Sequence, residues 1–182
     1  MEIIEIGFSG LLVIKPTVYS DKRGYFFESY NHETYRNAGI SFTPVQDNES
    51  KSSKGVIRGL HYQLRPYDQA KLIKVIEGKI FDVALDLRKE SPTYGKWFGL
   101  ELNSDSKTQL FIPKGFAHGL SVLSDVAIIL YKTDNFYNRS AERLIAFNDP
   151  DLGIDWHNGD STPVISEKDT GNPPFKEAEN NF

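Results

Sequence analysis

Short runs of apolar or alternating residues, separated by turn-forming residues, recur along the chain. In the clearest run, Phe81, Val83, Leu85 and Leu87 alternate with Asp82, Ala84, Asp86 and Arg88. A period of two is typical of a β-strand, so we predict a strand here with one core face and one polar face. We predict further strands in residues 11–14, 25–30, 56–63, 72–77, 97–103, 108–112 and 126–131.

Residues that favour turns separate these runs, at 21–24, 77–78, 91–95 and 103–106. Helix signals are few: residues 32–38 followed by Gly39 predict a short helix, and Glu167 begins a further turn or helix. Many short strands at this spacing indicate an all-β fold, a double-stranded β-helix or jelly-roll (cupin-like) sandwich with a pocket in its mouth. The length fits a single domain, which we assign to residues 1–182.

Composition narrows the class of protein. Aromatic residues make up 13% of the chain and hydrophobic residues 39%, and charged residues keep every apolar run too short for a membrane span, so we expect a globular protein. The formal charge of −4 disfavours general nucleic-acid binding but permits a local basic pocket. Cysteine is absent, which excludes disulfides and thiol chemistry. The N-terminal residues lack the basic start of a signal peptide, so we predict a cytoplasmic location.

Polar residues interrupt the strand predicted at 56–63. Arg58 and His61 lie within it, where solvated charges would normally prevent burial. Their positions have opposite parity, so a regular strand would direct the two side chains to opposite faces. Gly59 lies between them and suits either a β-bulge or a sharp twist of the strand.

Two further candidates lie on other predicted strands. Lys71 shares a strand face with Ile73 and Val75, and Tyr131 follows Ala127 in the same alternation. Taken singly, Lys71 is as well interpreted as an edge lysine that discourages aggregation, and Tyr131 as an aromatic residue closing the core. Both can also point into one pocket.

The segment 112–119 contains the pattern Pro113-x-Gly115-x-x-His118, which is similar to the second half of a cupin motif. Metal-binding cupins also need a His-x-His pair and a glutamate, but this chain has His61-Tyr62-Gln63. Its four histidines are His32, His61, His118 and His157. A catalytic metal usually takes three protein ligands, so we expect no metal site.

The order of motifs along the chain resembles that of the dTDP-4-dehydrorhamnose 3,5-epimerase family. The resemblance is carried by residues 21–28, 46–50, 55–61, 112–119, 130–132 and 166–169. It implies a jelly-roll homodimer that inverts C3 and C5 of dTDP-4-dehydro-6-deoxy-D-glucose and requires no cofactor. By the same resemblance, His61 is the base, Asp169 orients it, Tyr131 is the acid and Lys71 lies near the keto oxygen.

The family pattern also implies a set of substrate-binding residues. Arg23 and Arg58 are expected on the diphosphate, Tyr137 on the thymine, and His118 on the substrate or a phosphate. The remaining expected contacts are Glu28, Gln46, Asp47, Asn48, Glu142 and Lys168.

Three other functions stay open on the sequence. A single-carbon epimerase of the same fold, inverting C3 or C5 of a related 4-keto-6-deoxy sugar nucleotide, would need the same His, Asp, Lys and Tyr. A metal-dependent cupin dioxygenase belongs to another class and is disfavoured by the incomplete ligand set. A non-catalytic sugar-nucleotide binding module would have no need for both a base and an acid.

Overall fold

The computed structural model describes residues 1–159 and 162–182, and it consists mainly of antiparallel β-strands. The strands are β1 (Glu2–Glu5), β2 (Leu12–Lys15), β3 (Tyr19–Asp21), β4 (Gly24–Phe26), β5 (Gln46–Ser53), β6 (Ile57–Gln63), β7 (Lys71–Glu77), β8 (Lys79–Asp86), β9 (Trp97–Asn103), β10 (Gln109–Ile112), β11 (Phe116–Val122), β12 (Val126–Thr133) and β13 (Glu142–Leu144). One helix, α1 (His32–Asn37), and two 3₁₀ turns, Glu167–Asp169 and Phe175–Glu177, complete the described elements.

Two large sheets face each other. The first has the strand order β1-β2-β10-β7-β12-β5, and the second has the order β13-β6-β11-β8-β9. Because most neighbours are distant in sequence, the chain crosses repeatedly between the sheets, as in a jelly roll. The predicted cupin-like jelly-roll fold is thus confirmed, with β5 and β13 each forming an outer edge of its sheet.

Apolar side chains from both sheets fill the space between them. The largest buried cluster joins Ile73 and Ile129 of the first sheet to Ile80, Leu102 and others of the second. A second cluster lies on the outer side of the five-stranded sheet, where residues beyond β13, including Ile145 and Trp156, cover it. The five-stranded sheet is therefore buried on both faces.

This double burial corrects one prediction. The face of β8 that carries Asp82, Ala84 and Asp86 is not a polar outer face, because all three residues are fully buried between the sheets. Asp86 lies at the end of the strand, where Arg88, Ser91 and Thr93 all donate hydrogen bonds to its carboxylate. Asp82 lies deeper, and its surroundings belong to the candidate site.

The final residues of the chain pack against the same outer side. The hydroxyl of Tyr62 donates to the carbonyl of Glu179 at 2.6 Å, and Asn180 donates to the carbonyl of Leu87 at 2.6 Å. We refer to residues 166–182 as the C-terminal segment. It holds the second apolar cluster in place and brings Asp169 next to β6.

The helix prediction is confirmed, with α1 capped by the Asn31 side chain. No helix among the described residues has the length and apolar character needed to cross a membrane. The strand predictions need correction in two respects. In the run 25–30 only the start is a strand. Strands β1, β3, β5, β11 and β13 were not predicted, and β5 in particular has the sequence QDNESKSS, without apolar alternation.

Strands β3 and β4 form a separate two-stranded hairpin. Its aromatic residues are unusually exposed, with 65% of Tyr19 and 72% of Phe26 accessible to solvent. Exposed apolar groups concentrated in one small element are typical of an interaction surface.

Candidate active site

A cavity of about 340 Å³ opens between the two sheets, beside the edge strands β5 and β13. Most of the residues predicted from sequence line it together. They are Gln46, Asn48, Arg58, His61, Lys71, His118, Tyr131, Tyr137, Glu142, Lys168 and Asp169. The fold therefore gathers residues from β5, β6, β7, β11, β12, β13 and the C-terminal segment around one space.

A bulge in β6 explains how Arg58 and His61 reach the same cavity. Arg58 pairs with Leu120 of β11 and His61 pairs with His118, so three steps along β6 match two steps along β11. The extra residue reverses the parity, so both side chains reach the cavity. Gly59 has a φ of 130°, and a Cβ there would lie 2.5 Å from Cα of Gly119. Only glycine fits this position.

His61 forms a dyad with a buried carboxylate. Its Nε2 lies 2.9 Å from Oδ1 of Asp169, which is 5% exposed. Burial raises the pKa of Asp169, but contacts with His61 and Ser166 outweigh burial and bring that pKa below its usual value. Asp169 is therefore an anion at neutral pH and fixes the orientation of the imidazole.

The other ring nitrogen of His61 completes the arrangement. Nδ1 lies 3.6 Å from Oε1 of Glu142, whose carboxylate also accepts hydrogen bonds from Lys168 at 2.6 Å and Tyr137 at 2.8 Å. With Nε2 beside Asp169, Nδ1 lies on the side of the ring that faces Glu142. The Glu142 network keeps nearby polar groups in place around it.

Tyr131 approaches the cavity from the opposite sheet. It lies on β12, whereas His61 lies on β6, so the two side chains reach the cavity from different sides. Burial raises the pKa of the Tyr131 phenol above its usual value. The phenol therefore holds its proton at neutral pH and can donate it.

Lys71 supplies a cation at the same place. Its Nζ lies 6.0 Å from the centroid of the Tyr131 ring. Burial lowers the pKa of Lys71 to about 8, although the charges of Asp82 and Glu142 oppose the change. At pH 7 most of the population remains an ammonium ion, in a setting where its charge is poorly screened.

A second histidine–carboxylate pair lies deeper in the cavity. Nε2 of His118 lies 2.8 Å from Oδ1 of Asp82. His118 is the strand partner of His61, so the two imidazoles are neighbours across β6 and β11. Asp82 was not among the residues predicted for the site.

Comparison with known proteins decides the family. The model of the family described as dTDP-4-dehydrorhamnose 3,5-epimerase matches residues 5–177, which includes every residue of the cavity. The chain belongs to the dTDP-4-dehydrorhamnose 3,5-epimerase family. The resemblance drawn from the sequence motifs is thereby confirmed.

Relatives in the dTDP-4-dehydrorhamnose 3,5-epimerase family match along nearly their whole length. The Shigella flexneri enzyme of that name is 47% identical over 98% of both chains. The crystal structure of the enzyme from Elizabethkingia anophelis has 47% identity and a TM-score of 0.91, covering 97% of each chain. A Legionella pneumophila epimerase, solved with dTDP-4-keto-L-rhamnose, has 44% identity and a TM-score of 0.92, covering 97% of this chain and 93% of its own.

Three residues expected to bind substrate lie outside the cavity of their own chain. Arg23 is in the exposed hairpin, where its Nε donates to Asp21 at 3.1 Å. Glu28 accepts a hydrogen bond from Asn31 at 2.9 Å, and Asp47 accepts one from Lys132 at 2.8 Å. The structure of one chain does not bring these three residues to the other site residues.

Sequence reasoning missed several residues that do line the cavity: Ser50, Tyr62, Gln63, Gln69, Leu120 and Ser166. Ser50 could have been found, because Gln46, Asn48 and Ser50 alternate with charged residues and so share a face of β5. Ser166 donates to Oδ2 of Asp169 at 3.0 Å. Among the residues the structure describes, no group of three or more histidine or carboxylate side chains has the arrangement of a metal site.

Proposed function

We propose that this chain epimerises dTDP-4-dehydro-6-deoxy-D-glucose at C3 and C5, giving dTDP-4-dehydro-L-rhamnose, as a step of dTDP-L-rhamnose biosynthesis. The proposal is carried by one observation. An oriented base, His61 with Asp169, and a protonated acid, Tyr131, reach one cavity from opposite sheets, with the Lys71 ammonium beside them. The reaction needs no cofactor in this proposal, and a cytoplasmic location stays a prediction.

The first step is removal of a proton from a carbon next to the ketone. Such a C–H bond becomes acidic enough only if the enolate oxygen is stabilised while the proton leaves. We assign the abstraction to His61 and the stabilisation of the oxygen to Lys71. A single preorganised group of this kind typically contributes about 10²–10³ in rate, and a positioned base about 10²–10⁴.

Inversion then requires a proton from the other face of the sugar. A single base cannot readily supply it, because the base stays on the face from which it took the first proton. Tyr131 lies on the opposite sheet and holds its proton at neutral pH, so it suits this role. Repeating the sequence at the second carbon on the other side of the ketone completes the double epimerisation.

The nucleotide part of the substrate needs cations and a surface for its base. Nε of Arg58 donates to Oγ of Ser52 at 3.0 Å, which fixes the guanidinium at the cavity wall. Lys168 adds a second cation, and the ring of Tyr137, 51% exposed, is free to stack. We assign Arg58 to the diphosphate, because one guanidinium group can donate two parallel hydrogen bonds to phosphate oxygens. We assign Tyr137 to the thymine base.

We also propose that the protein is a homodimer. The exposed aromatic hairpin suits a contact between copies, and Arg23 at its tip lies outside its own cavity. A second chain that docks through this hairpin can present Arg23 to the neighbouring cavity. This arrangement reconciles the role expected for Arg23 with its position.

Incubation of the metal-stripped protein with dTDP-4-dehydro-6-deoxy-D-glucose in D₂O tests the proposal. Each abstraction and reprotonation exchanges a carbon-bound hydrogen with solvent, so NMR should locate deuterium at both C3 and C5. Label at one carbon would favour the single-carbon epimerase instead. No label, with the protein folded and the sugar nucleotide bound, would refute the epimerase function and favour a binding module.

A further inference from the structure

The carboxylate of Asp82 occupies an unusual position in the core. It lies between Ile80 and Ala84 on the inner face of β8, with none of its surface exposed. Its Oδ1 contacts His118, while its Oδ2 is buried and has no hydrogen-bond partner among the described residues. Burying a carboxylate in this way is costly, so its retention calls for a function.

The protonation of His118 follows from its surroundings. Burial lowers the pKa of His118, and the nearby charge of Lys71 acts in the same direction, so the net change is downward despite Asp82. The imidazole is therefore neutral at pH 7. A neutral imidazole carries one N–H, and the nitrogen that faces a carboxylate at 2.8 Å is the one that carries it.

This arrangement leaves Nδ1 of His118 with a lone pair. His118 lines the cavity, and its Nδ1 makes no hydrogen bond within the described part of the chain. Unlike Oδ2 of Asp82, this unpaired atom is not fully buried. It is therefore accessible from the cavity as an acceptor. An acceptor cannot bind a ketone oxygen or a phosphate oxygen, but it can bind a hydroxyl group.

We propose that Asp82 is a positioning residue that holds His118 in its Nε2–H form, so that Nδ1 accepts a hydrogen bond from a hydroxyl group of the sugar. This inference rests on the proposed function, because the hydroxyl belongs to the 4-keto sugar of the proposed substrate. It separates the roles of two neighbouring histidines. His61 exchanges protons near Glu142, whereas His118 recognises the sugar.

The substitution Asp82→Asn gives a distinct result if this is correct. Asparagine can donate to Nε2 of His118 through Nδ2, which leaves its amide oxygen in the place of Oδ2. His118 would then carry its proton on Nδ1 and offer a donor to the sugar hydroxyl. The variant should stay folded, but with the wrong tautomer at the cavity.

The experiment is ¹⁵N NMR of histidine side chains at pH 7, with His118 assigned from the His118→Gln variant. We expect the Nε2–H tautomer in the unaltered protein and the Nδ1–H tautomer in Asp82→Asn. In the same variant kcat/KM should fall about tenfold, because the sugar hydroxyl would have to accept from Nδ1–H instead of donating to Nδ1, a cost comparable with that of one hydrogen bond.

Asp86→Asn is the matched control, because Asp86 is an equally buried carboxylate on the same face of β8. Its partners are Arg88, Ser91 and Thr93, so its loss should lower the melting temperature without changing the tautomer of His118. A structural effect of losing a buried charge would appear in both variants. The tautomer change should appear only in Asp82→Asn.

Two results would overturn the inference. One is a folded Asp82→Asn protein whose His118 signals and kcat/KM are unchanged. The other is an unaltered protein whose His118 is Nδ1–H or doubly protonated at pH 7, a measurement that holds even if Asp82→Asn does not fold. Because the tautomer is read without substrate, failure of the proposed epimerase function would show separately, as absence of turnover.

Discussion

At the scale of single residues, the cavity is organised by pairs in which one group fixes the state of another. Asp169 orients His61, Glu142 links Lys168 and Tyr137, and burial determines that Tyr131 keeps its proton. These effects come from position in the fold, because the same side chains in water would have ordinary pKa values and free rotation. Substitutions at these residues should therefore affect rate more than folding.

His61→Ala removes the proposed base, and Asp169→Asn removes the carboxylate proposed to orient it. We expect turnover to fall about 10³–10⁴-fold in the first variant and on the order of 10²–10⁴-fold in the second. Product formation followed by NMR measures both. His32→Ala, at the start of α1 and outside the cavity, is the matched histidine control and should keep its rate. Comparable rates in all three variants would exclude the dyad as the base.

The pH dependence of the reaction should reveal Lys71. Burial lowers the pKa of this residue to about 8, so its ammonium form is lost as the pH rises through that value. We expect kcat/KM to decline above about pH 8. In Lys71→Arg the overall rate should be lower, but the alkaline decline should vanish, because arginine keeps its charge. An unchanged decline in that variant would assign it to another group.

At the scale of elements, strand β6 is the decisive one. Arg58 and His61 would point to opposite faces of a regular strand, but the register shift in β6 turns both side chains toward the cavity. The close approach of β6 to β11 depends on two glycines, since a Cβ at Gly119 would lie 3.0 Å from the carbonyl oxygen of Arg58. The geometry of the site is thus fixed by backbone as much as by side chains.

Gly59→Ala should be among the more damaging single-methyl changes in this protein. The new Cβ would collide with the backbone of Gly119, and a φ of 130° is unfavourable for alanine. We expect a loss of roughly 3 kcal/mol in the free energy of unfolding, measured with denaturant. Gly55→Ala is the control, since its φ is 81° but no atom lies within 4 Å of the added Cβ. It should cost only about 1 kcal/mol. Equal losses would mean that the β6–β11 contact is unimportant.

Sequence patterns predicted most of the strands that bury apolar residues and failed for β1, β3, β5, β11 and β13. Strand β11 is buried along its whole length, but His118, Gly119 and Ser121 break its apolar run. Strand β8 and helix α1 were found, because their periodicity or capping is local. Strand β5 was missed because its inner residues face a polar cavity and its stability comes from pairing with β12. The grouping of these residues into one site was predicted from the family resemblance, because nothing local in the sequence links His61 to Asp169. Asp82 was overlooked because an acidic residue in an alternating strand is normally read as facing outward.

At the scale of the whole molecule, the proposed homodimer assigns Arg23 in the exposed hairpin of one chain to the cavity of its neighbour. A test mixes Arg23→Ala and His61→Ala proteins after subunit exchange. If the hairpin of one chain serves the cavity of its neighbour, each hybrid dimer contains one unaltered site. At substrate concentrations below KM, the mixture should recover about one quarter of unaltered activity.

The absence of recovery in proven hybrid dimers would place Arg23 in its own chain's cavity or remove it from binding. Size measurements on a Phe26→Asp variant provide an independent check. Introducing a charge in the exposed aromatic surface should convert dimers to monomers if the hairpin is the contact. A dimer that persists with the same stability would locate the interface elsewhere.

The packing of the C-terminal segment also has a consequence for how the enzyme is made. His61, Lys71 and Tyr131 have all been synthesised by the end of β12, but Asp169 and the residues that hold the segment against Tyr62 come later. A nascent chain on the ribosome therefore possesses the proposed base, cation and acid before the carboxylate proposed to orient the base. Products of interrupted translation that end before residue 169 should turn over substrate far more slowly than the complete chain, so epimerase activity arises only at the last stage of synthesis.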